Sequence, residues 1–401
     1  MEKKVSIQTT AVHAGDRKKP GASTSSTTPI HLSSSFFYET TDELDRVFGK
    51  EQDGESYSRY GNPTNAALEE VIAELEGAPG ALACSSGMMA LQVALMAALL
   101  DRRKSIVAAS ALYGASINML MKIFEPFGVE VNFVDICDLK ALDAAVVEHK
   151  PGAVLLESIS NPLLRVPELD RIAARCREAG AALVVDNTFA TPLLIRPLEL
   201  GASLVVHSVT KYLSGHGDVL GGVVVCDAEH LEAVRNLARI SGPLLGPFEC
   251  YLAMRGVKTF PLRMERQCQN ACRLASYLAG HPSVERVYYP GDSAHPDSAA
   301  IHRLLPEGLR GAILSFELKG ATKPEVFRWM DGLTTIVRGT SLGDVHTMVL
   351  YPLISSHRDL SPKQRERMGI RDNLLRISAG IEGVDDMIAD LERGFAAFTA
   401  K

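Results

Sequence analysis

The first strongly periodic stretch of the chain opens at Asn62-Pro63. Asparagine is a favoured helix N-cap and proline suits the first helical position. Leu68, Val71, Ile72 and Leu75 then fall on one face of a 3.6-residue repeat, and Gly77 ends it. Upstream, residues 1–60 are rich in Ser, Thr and Gly with little periodicity, which reads as an extended arm that either packs on a neighbouring subunit or wraps its own domain. Downstream, 87–100 is a continuous apolar stretch, shorter than the ~20 residues a membrane span needs, and reads as a buried helix. Short β-rich runs follow at 105–109, 129–134, 153–156, 182–185, 204–206 and 223–226. A helix at 167–179 carries Leu169, Ile172, Ala173 and Cys176 on one side. Continuous apolar strands separated by helices predict an α/β fold with a mainly parallel sheet covered on both faces. Beyond about residue 260 the pattern changes. Helical stretches at 264–278 and 384–398 flank shorter strands at 312–318 and 374–378, which predicts a smaller C-terminal α+β domain. The expected division is an arm at 1–60, a large domain at 61–258 and a second domain at 259–401.

Composition sharpens this picture in three places. Hydrophobic residues make up 46% of the 401 and charged ones 22%, enough for a large core and too apolar for a disordered chain. The formal charge is −6 and no basic tract stands out, which argues against nucleic acid and anionic membrane as partners. Seven cysteines are scattered without a CxxC pair, so they read as reduced structural thiols and no metal site is expected. Met1-Glu2-Lys3-Lys4 leads into polar sequence with no apolar segment of the secretory type, so a cytoplasmic protein is expected.

In open parallel sheets, ligands bind beyond the carboxyl ends of the strands. Here those ends carry unusual cargo. The run ending at Leu156 is followed by Glu157 and, soon after, Asn161-Pro162. The run ending at Val185 continues into Asp186-Asn187-Thr188, and the one ending at Val206 into His207-Ser208-Val209-Thr210-Lys211. The run ending at Ala109 leads to Tyr113-Gly114.

An amine, an acid and a set of hydroxyls at one rim match the demands of a cofactor with an aldehyde, an aromatic ring and a phosphate. Lys211 supplies the amine. Asp186 ends a fully apolar strand, where a carboxylate is costly unless paired, and a protonated ring nitrogen would pair it. Ser85-Ser86-Gly87-Met88 stands at the start of the long apolar helix, whose free N–H groups attract anions, and Ser208 and Thr210 add hydroxyl donors. Taken singly, each has an ordinary reading: a solvated loop lysine, an Asp capping a turn, a Ser N-cap. No GxGxxG follows the first strand, which argues against a dinucleotide-binding Rossmann protein.

Eight short motifs occur in order: Tyr57-Ser58-Arg59-Tyr60-Gly61-Asn62-Pro63-Thr64, Ser86-Gly87-Met88, Tyr113-Gly114, Glu157-Ser158 with Asn161-Pro162, Val185-Asp186-Asn187-Thr188, Ser208-Val209-Thr210-Lys211-Tyr212, Ser341-Leu342-Gly343-Asp344 and Arg376-Ile377-Ser378-Ala379-Gly380. Together they resemble the cystathionine γ-synthase/γ-lyase and methionine γ-lyase family, the pyridoxal-phosphate-dependent Cys/Met-metabolism enzymes of aspartate-aminotransferase-like fold (fold type I). The likeness covers nearly the whole chain.

The resemblance implies roles. Lys211 would bind the coenzyme aldehyde and shuttle protons, and Asp186 would pair with the ring nitrogen. Tyr113 would stack on the ring and take part in proton transfer. Ser86, Gly87, Met88, Thr188, Ser208 and Thr210 would complete the coenzyme site, with Asn161 near the ring hydroxyl. Tyr57 and Arg59 would reach the phosphate of a neighbouring subunit, making a dimer the smallest active unit and a tetramer the expected assembly. Arg376, with Ser341, would grip the carboxylate of a small amino-acid substrate, a task that suits a two-pronged guanidinium. The implied reaction is γ-elimination of a sulfur amino acid to 2-oxobutanoate, ammonia and a thiol. The alternative is γ-replacement, as in cystathionine γ-synthases and O-acylhomoserine sulfhydrylases. Tyr113 as an acid or base would need a nearby cation such as Arg59, because a free tyrosine has a pKa of about 10.

Five positions depart from the family pattern. Ala115 stands where methionine γ-lyases carry a cysteine, and Ala238-Arg239 where they carry a Lys-Asp pair. His346 replaces a common glutamate; it either changes which substrate tail is accepted or is a neutral spacer. Ile159 replaces a common proline, with little effect expected.

Overall fold

The computed structural model of the chain describes residues 5–15, 25–355, 358 and 361–399. Seven strands form the first sheet: β1 (Gly80–Cys84), β2 (Ser105–Ala109), β3 (Glu130–Val134), β4 (Ala153–Glu157), β5 (Ala182–Asp186), β6 (Leu204–Ser208) and β7 (Gly222–Cys226), in the order β1-β7-β6-β5-β4-β2-β3. From β6 to β3 neighbours run parallel. At the other side β7 is antiparallel to both β6 and β1. The five strands β2, β4, β5, β6 and β7 are buried along nearly their whole length, as their apolar runs predict.

The helix that opens at Asn62 is Pro63–Glu76, with the Asn62 side chain accepting from the Thr64 N–H at 2.9 Å and Gly77 in a left-handed C-cap at φ 72°. The apolar stretch at 87–100 is the helix Gly87–Leu99, and the one at 167–179 is Leu169–Glu178. Two features of the region before residue 61 differ from a plain extended arm. Ile7–His13 is helical and seats Ala11 in the large core, and Thr41–Phe48 is helical behind a capping box made by Thr40 and Glu43. Residues 1–4 and 16–24 of the expected arm lie outside the described residues.

A second sheet is built from β8 (Val284–Tyr288), β9 (Ile313–Leu318), β10 (Val337–Arg338), β11 (Met348–Leu350) and β12 (Leu374–Ser378), in the order β10-β11-β12-β9-β8. Only β10 and β11 pair in parallel; the rest is antiparallel. Each sheet has its own apolar core. The 20-residue helix Phe260–Ala279 joins them: Phe260, Met264 and Cys268 belong to the larger core, whereas Ala271, Leu274 and Leu278 belong to the smaller. All seven cysteines are free thiols.

Candidate active site

The carboxyl ends of β4, β5 and β6 open into a cavity of about 220 Å³. Its wall contains Ser86, Gly87 and Met88 from the start of the apolar helix, Tyr113 after β2, Asn161 after β4, Asp186 and Thr188 at β5, and Ser208, Thr210 and Lys211 at β6. Arg376 reaches in from β12 of the second sheet. Ser341 is drawn in by a hydrogen bond from Lys211 Nζ to its Oγ at 2.8 Å. Twelve of the fourteen residues singled out from the sequence therefore converge here.

Tyr57 and Arg59 are the two that do not. Within the same chain, Arg59 donates to the Arg239 carbonyl and to the Tyr60 hydroxyl, and its guanidinium lies over the Tyr57 and Tyr60 rings at 5.7 and 4.7 Å. Arg59 is therefore not beside Tyr113 of its own chain. His346 is also absent from the wall: it is exposed and hydrogen-bonded to Asp344 at 3.1 Å. Ile159, in contrast, is buried and lines the cavity. The wall includes other side chains that the sequence did not single out as site members, among them Glu157, Phe189 and Leu342. Glu157 was visible as a carboxylate at a strand end; Phe189 and Leu342 carry no polar chemistry that a sequence pattern would flag.

The electrostatics of the cavity are unusual. Burial, aided by the nearby Arg376 charge, pulls Lys211 down from the ordinary lysine value to about 8. Arg376 is itself 2% exposed, and burial lowers it to about 10. Its hydrogen-bond partners are neutral: Nη1 donates to Asn161 Oδ1 at 2.9 Å and Nη2 to the Ser341 carbonyl at 3.2 Å. Nε has no partner, and the Phe189 ring lies 5.8 Å from the guanidinium carbon. A buried guanidinium held only by neutral groups is an anion site awaiting its anion.

Glu157 and Asp186 stand side by side at adjacent strand ends. Burial raises both, and the Asp186 charge raises Glu157 further. Asp186 accepts from the Thr188 N–H at 3.0 Å, and no ion pair reaches it among the described residues. It therefore fits a cationic ring nitrogen. At the other end of the cavity, Ser86 caps the apolar helix by accepting from the Met89 N–H at 3.1 Å, which leaves the N–H groups of Gly87 and Met88 without intrahelical acceptors. A Cβ on Gly87 would come within 2.8 Å of Ser208 Cβ and 3.1 Å of Ser208 Cα, so only glycine lets the helix start approach β6 this closely. That junction fits a phosphate. Thr210 Oγ1 pairs reciprocally with the Gly221 backbone and fixes the turn that carries Lys211.

A parallel sheet that brings an amine, a buried acid and a helix N-terminus to one cavity defines a pyridoxal-phosphate enzyme of fold type I. The chain belongs to the Cys/Met metabolism PLP-dependent enzymes, whose family pattern matches residues 8–396. It is 38% identical over 397 residues to the L-methionine gamma-lyase of Fusobacterium nucleatum subsp. polymorphum, covering 98% of each chain. It is also 38% identical over 393 residues to the O-succinylhomoserine sulfhydrylase of Pseudomonas aeruginosa, covering 98% of this chain and 95% of that one. Among solved structures, cystathionine gamma-lyase from Lactobacillus plantarum complexed with L-serine superposes with a TM-score of 0.91 at 34% identity, covering 99% of this chain and all of that one.

Proposed function

We propose that this enzyme carries out γ-elimination on a sulfur amino acid of the methionine or cystathionine type, releasing 2-oxobutanoate, ammonia and a thiol. The observation that carries the reading is the pairing of a half-buried amine, bonded to Ser341, with a buried guanidinium that has no carboxylate partner. That pair suits an α-amino acid: Arg376 binds its carboxylate, with Ser341 holding the grip, and this fixes Cα beside Lys211. The bound coenzyme supplies an electron sink for the negative charge left at Cα. Lys211 Nζ takes the proton from Cα and passes it on, and Tyr113 serves the proton transfers as the γ-substituent departs. Asp186 holds the positive ring nitrogen; Ser86, Gly87, Met88, Thr188, Ser208 and Thr210 hold the rest of the coenzyme, and Asn161 sits by its ring hydroxyl. Tyr57 and Arg59 act in the site of a neighbouring subunit, so the active unit is a dimer, with a tetramer built from two such pairs. No described helix is long and apolar enough to cross a membrane, and a cytoplasmic location accords with that.

A second reading, γ-replacement, is supported by equal identity to a sulfhydrylase. Incubation with methionine, cystathionine and O-acylated homoserine, with and without sulfide or cysteine, separates the two. Elimination predicts keto acid from methionine or cystathionine without added thiol. Thioether or homocysteine formed only in the presence of an acceptor, with negligible keto acid, would overturn it. His346→Glu tests the histidine departure: a change in preference between methionine and cystathionine supports a specificity role for His346, and an unchanged preference removes it.

A further inference from the structure

Glu157 is buried, titratable and not used by the chemistry above. Its two oxygens point to different loops. Oε1 accepts from the Tyr113 N–H at 2.6 Å, and Oε2 accepts from the Asn161 N–H at 3.0 Å. The first loop follows β2 and carries the Tyr113 ring into the cavity; the second follows β4. Asn161 then passes the constraint on, because its side-chain oxygen accepts from Arg376 Nη1 at 2.9 Å. Arg376 donates its other prong to the Ser341 carbonyl, and the Ser341 hydroxyl takes the hydrogen bond from Lys211 Nζ at 2.8 Å. The result is one unbroken line of hydrogen bonds from Tyr113 to Lys211, and Glu157 is the only carboxylate in it.

We propose that Glu157 is a positioning residue that sets Tyr113 and Arg376 together, by clamping the backbones of Tyr113 and Asn161 with one carboxylate. The physical reason lies in the acceptor count. Both oxygens accept from an N–H, the arrangement of the ionised form, and these two donors oppose the upward push of burial; a carboxylate thus satisfies two N–H groups at once. Glutamine has the same shape but one acceptor; its NH₂ must then face a buried N–H and push one of the two loops away. Aspartate keeps both acceptors and the charge but is one methylene short of bridging both loops. The clamp requires both the chemistry and the reach of glutamate. The inference rests on the proposed amino-acid substrate only through Arg376 as the carboxylate grip; it is indifferent to elimination or replacement.

The test uses the coenzyme-loaded enzyme and L-norleucine, an amino acid with no leaving group, so that binding is read without turnover. Norleucine is titrated against the change in coenzyme absorbance, and coenzyme circular dichroism in the visible region reports the stacking of Tyr113. Glu157→Gln and Glu157→Asp are each expected to weaken norleucine binding at least tenfold and to alter the dichroic band. Asn161→Ala is expected to weaken norleucine binding as well, and Glu157→Gln added to it is expected to cost little more, because both act through one line. Glu157→Asp separates charge from reach and stands as the test if the glutamine variant does not fold. Binding like the parent enzyme in either Glu157 variant would overturn the proposal, as would Glu157→Gln and Asn161→Ala effects that multiply. Failure of the elimination reading would show separately, as absent keto acid with these norleucine results unchanged.

Discussion

Lys211 is the side chain whose chemistry owes most to its surroundings. An ordinary lysine is protonated at neutral pH, and its amine is then no nucleophile. At about 8, set first by burial and then by the Arg376 charge, roughly a tenth is unprotonated at pH 7. The sign follows: coenzyme capture by the empty enzyme speeds up as pH rises and levels off above about 8. Stopped-flow capture rates against pH are expected to show this inflection; an inflection near 10 would contradict the assigned environment. Replacing Arg376 by leucine removes the second cause and is expected to move the inflection upward. Arg376 supports its own prediction. Lysine keeps the charge but loses the planar fork that now spans Asn161 and the Ser341 carbonyl. Charge-assisted hydrogen bonds contribute about 1.5–3 kcal/mol each, so Arg376→Lys is expected to raise KM by roughly 10- to 100-fold, with a smaller change in kcat. Steady-state kinetics on the substrate that turns over would check it.

The elements place these residues by simple alternation. Side chains along a strand alternate faces, so Asp186 and Ser208 meet the cavity while Asn187 and His207 point to the other side of the sheet. There both find Glu76, at the end of the helix Pro63–Glu76: its Oε1 accepts from Asn187 Nδ2 at 3.0 Å and bonds His207 Nε2 at 2.6 Å. The network anchors the ends of β5 and β6 from behind. Glu76→Ala leaves these groups short of a partner in a dry interior, and is expected to lower stability by about 3 kcal/mol, measurable by urea unfolding. Gly87→Ala acts at the opposite face. The new methyl cannot fit 2.8 Å from Ser208 Cβ, so the helix start must withdraw from β6, and coenzyme affinity is expected to fall at least tenfold in an equilibrium titration.

Most of this placement could be read from the chain beforehand. The apolar runs gave the buried strands because parallel strands covered on both faces need continuous apolar sequence. β1 escaped notice because Gly80-Ala81-Leu82-Ala83-Cys84 has no β-branched residue, and the reversal of β7 leaves no trace in an apolar run that is buried in either direction. Capping polar residues at Thr40 and Glu43 stand at the start of the helix Thr41–Phe48, but its apolar stripe is only Leu44, Val47 and Phe48, too short to stand out in a Ser- and Thr-rich region. The polar site residues were legible through their motifs. The double grip of Glu157 was not, since two backbone N–H groups have no signature in sequence.

At the scale of the whole molecule, the two sheets depend on each other for the site. Ten of the twelve convergent residues come from the larger sheet and its loops, whereas Ser341 and Arg376 come from the smaller, and the helix Phe260–Ala279 ties the two cores into one frame. Of the remaining two residues of the expected set, Tyr57 is exposed and Arg59 is half-buried against its own chain. Tyr57 is 43% exposed, and beside the Arg59–Arg239 contact Ile240 is 83% exposed, while Leu220 on the cavity rim is 68% exposed. Large exposed apolar side chains call for cover, and in a two-fold dimer the same patch on each chain covers the other. If Tyr57 and Arg59 complete a neighbour's site, two dead variants can rescue each other. Arg59→Ala fails because each site lacks its neighbour's arginine; Lys211→Ala fails because each site lacks its own amine. When the two are unfolded together and refolded as a mixture, half of the dimers are mixed. Each mixed dimer contains one site with Lys211 from one chain and Arg59 from the other. Recovery of about a quarter of the parent activity is therefore expected, against none for either variant refolded alone. A mixture as inactive as its parts would mean that Arg59 serves only the chain that carries it.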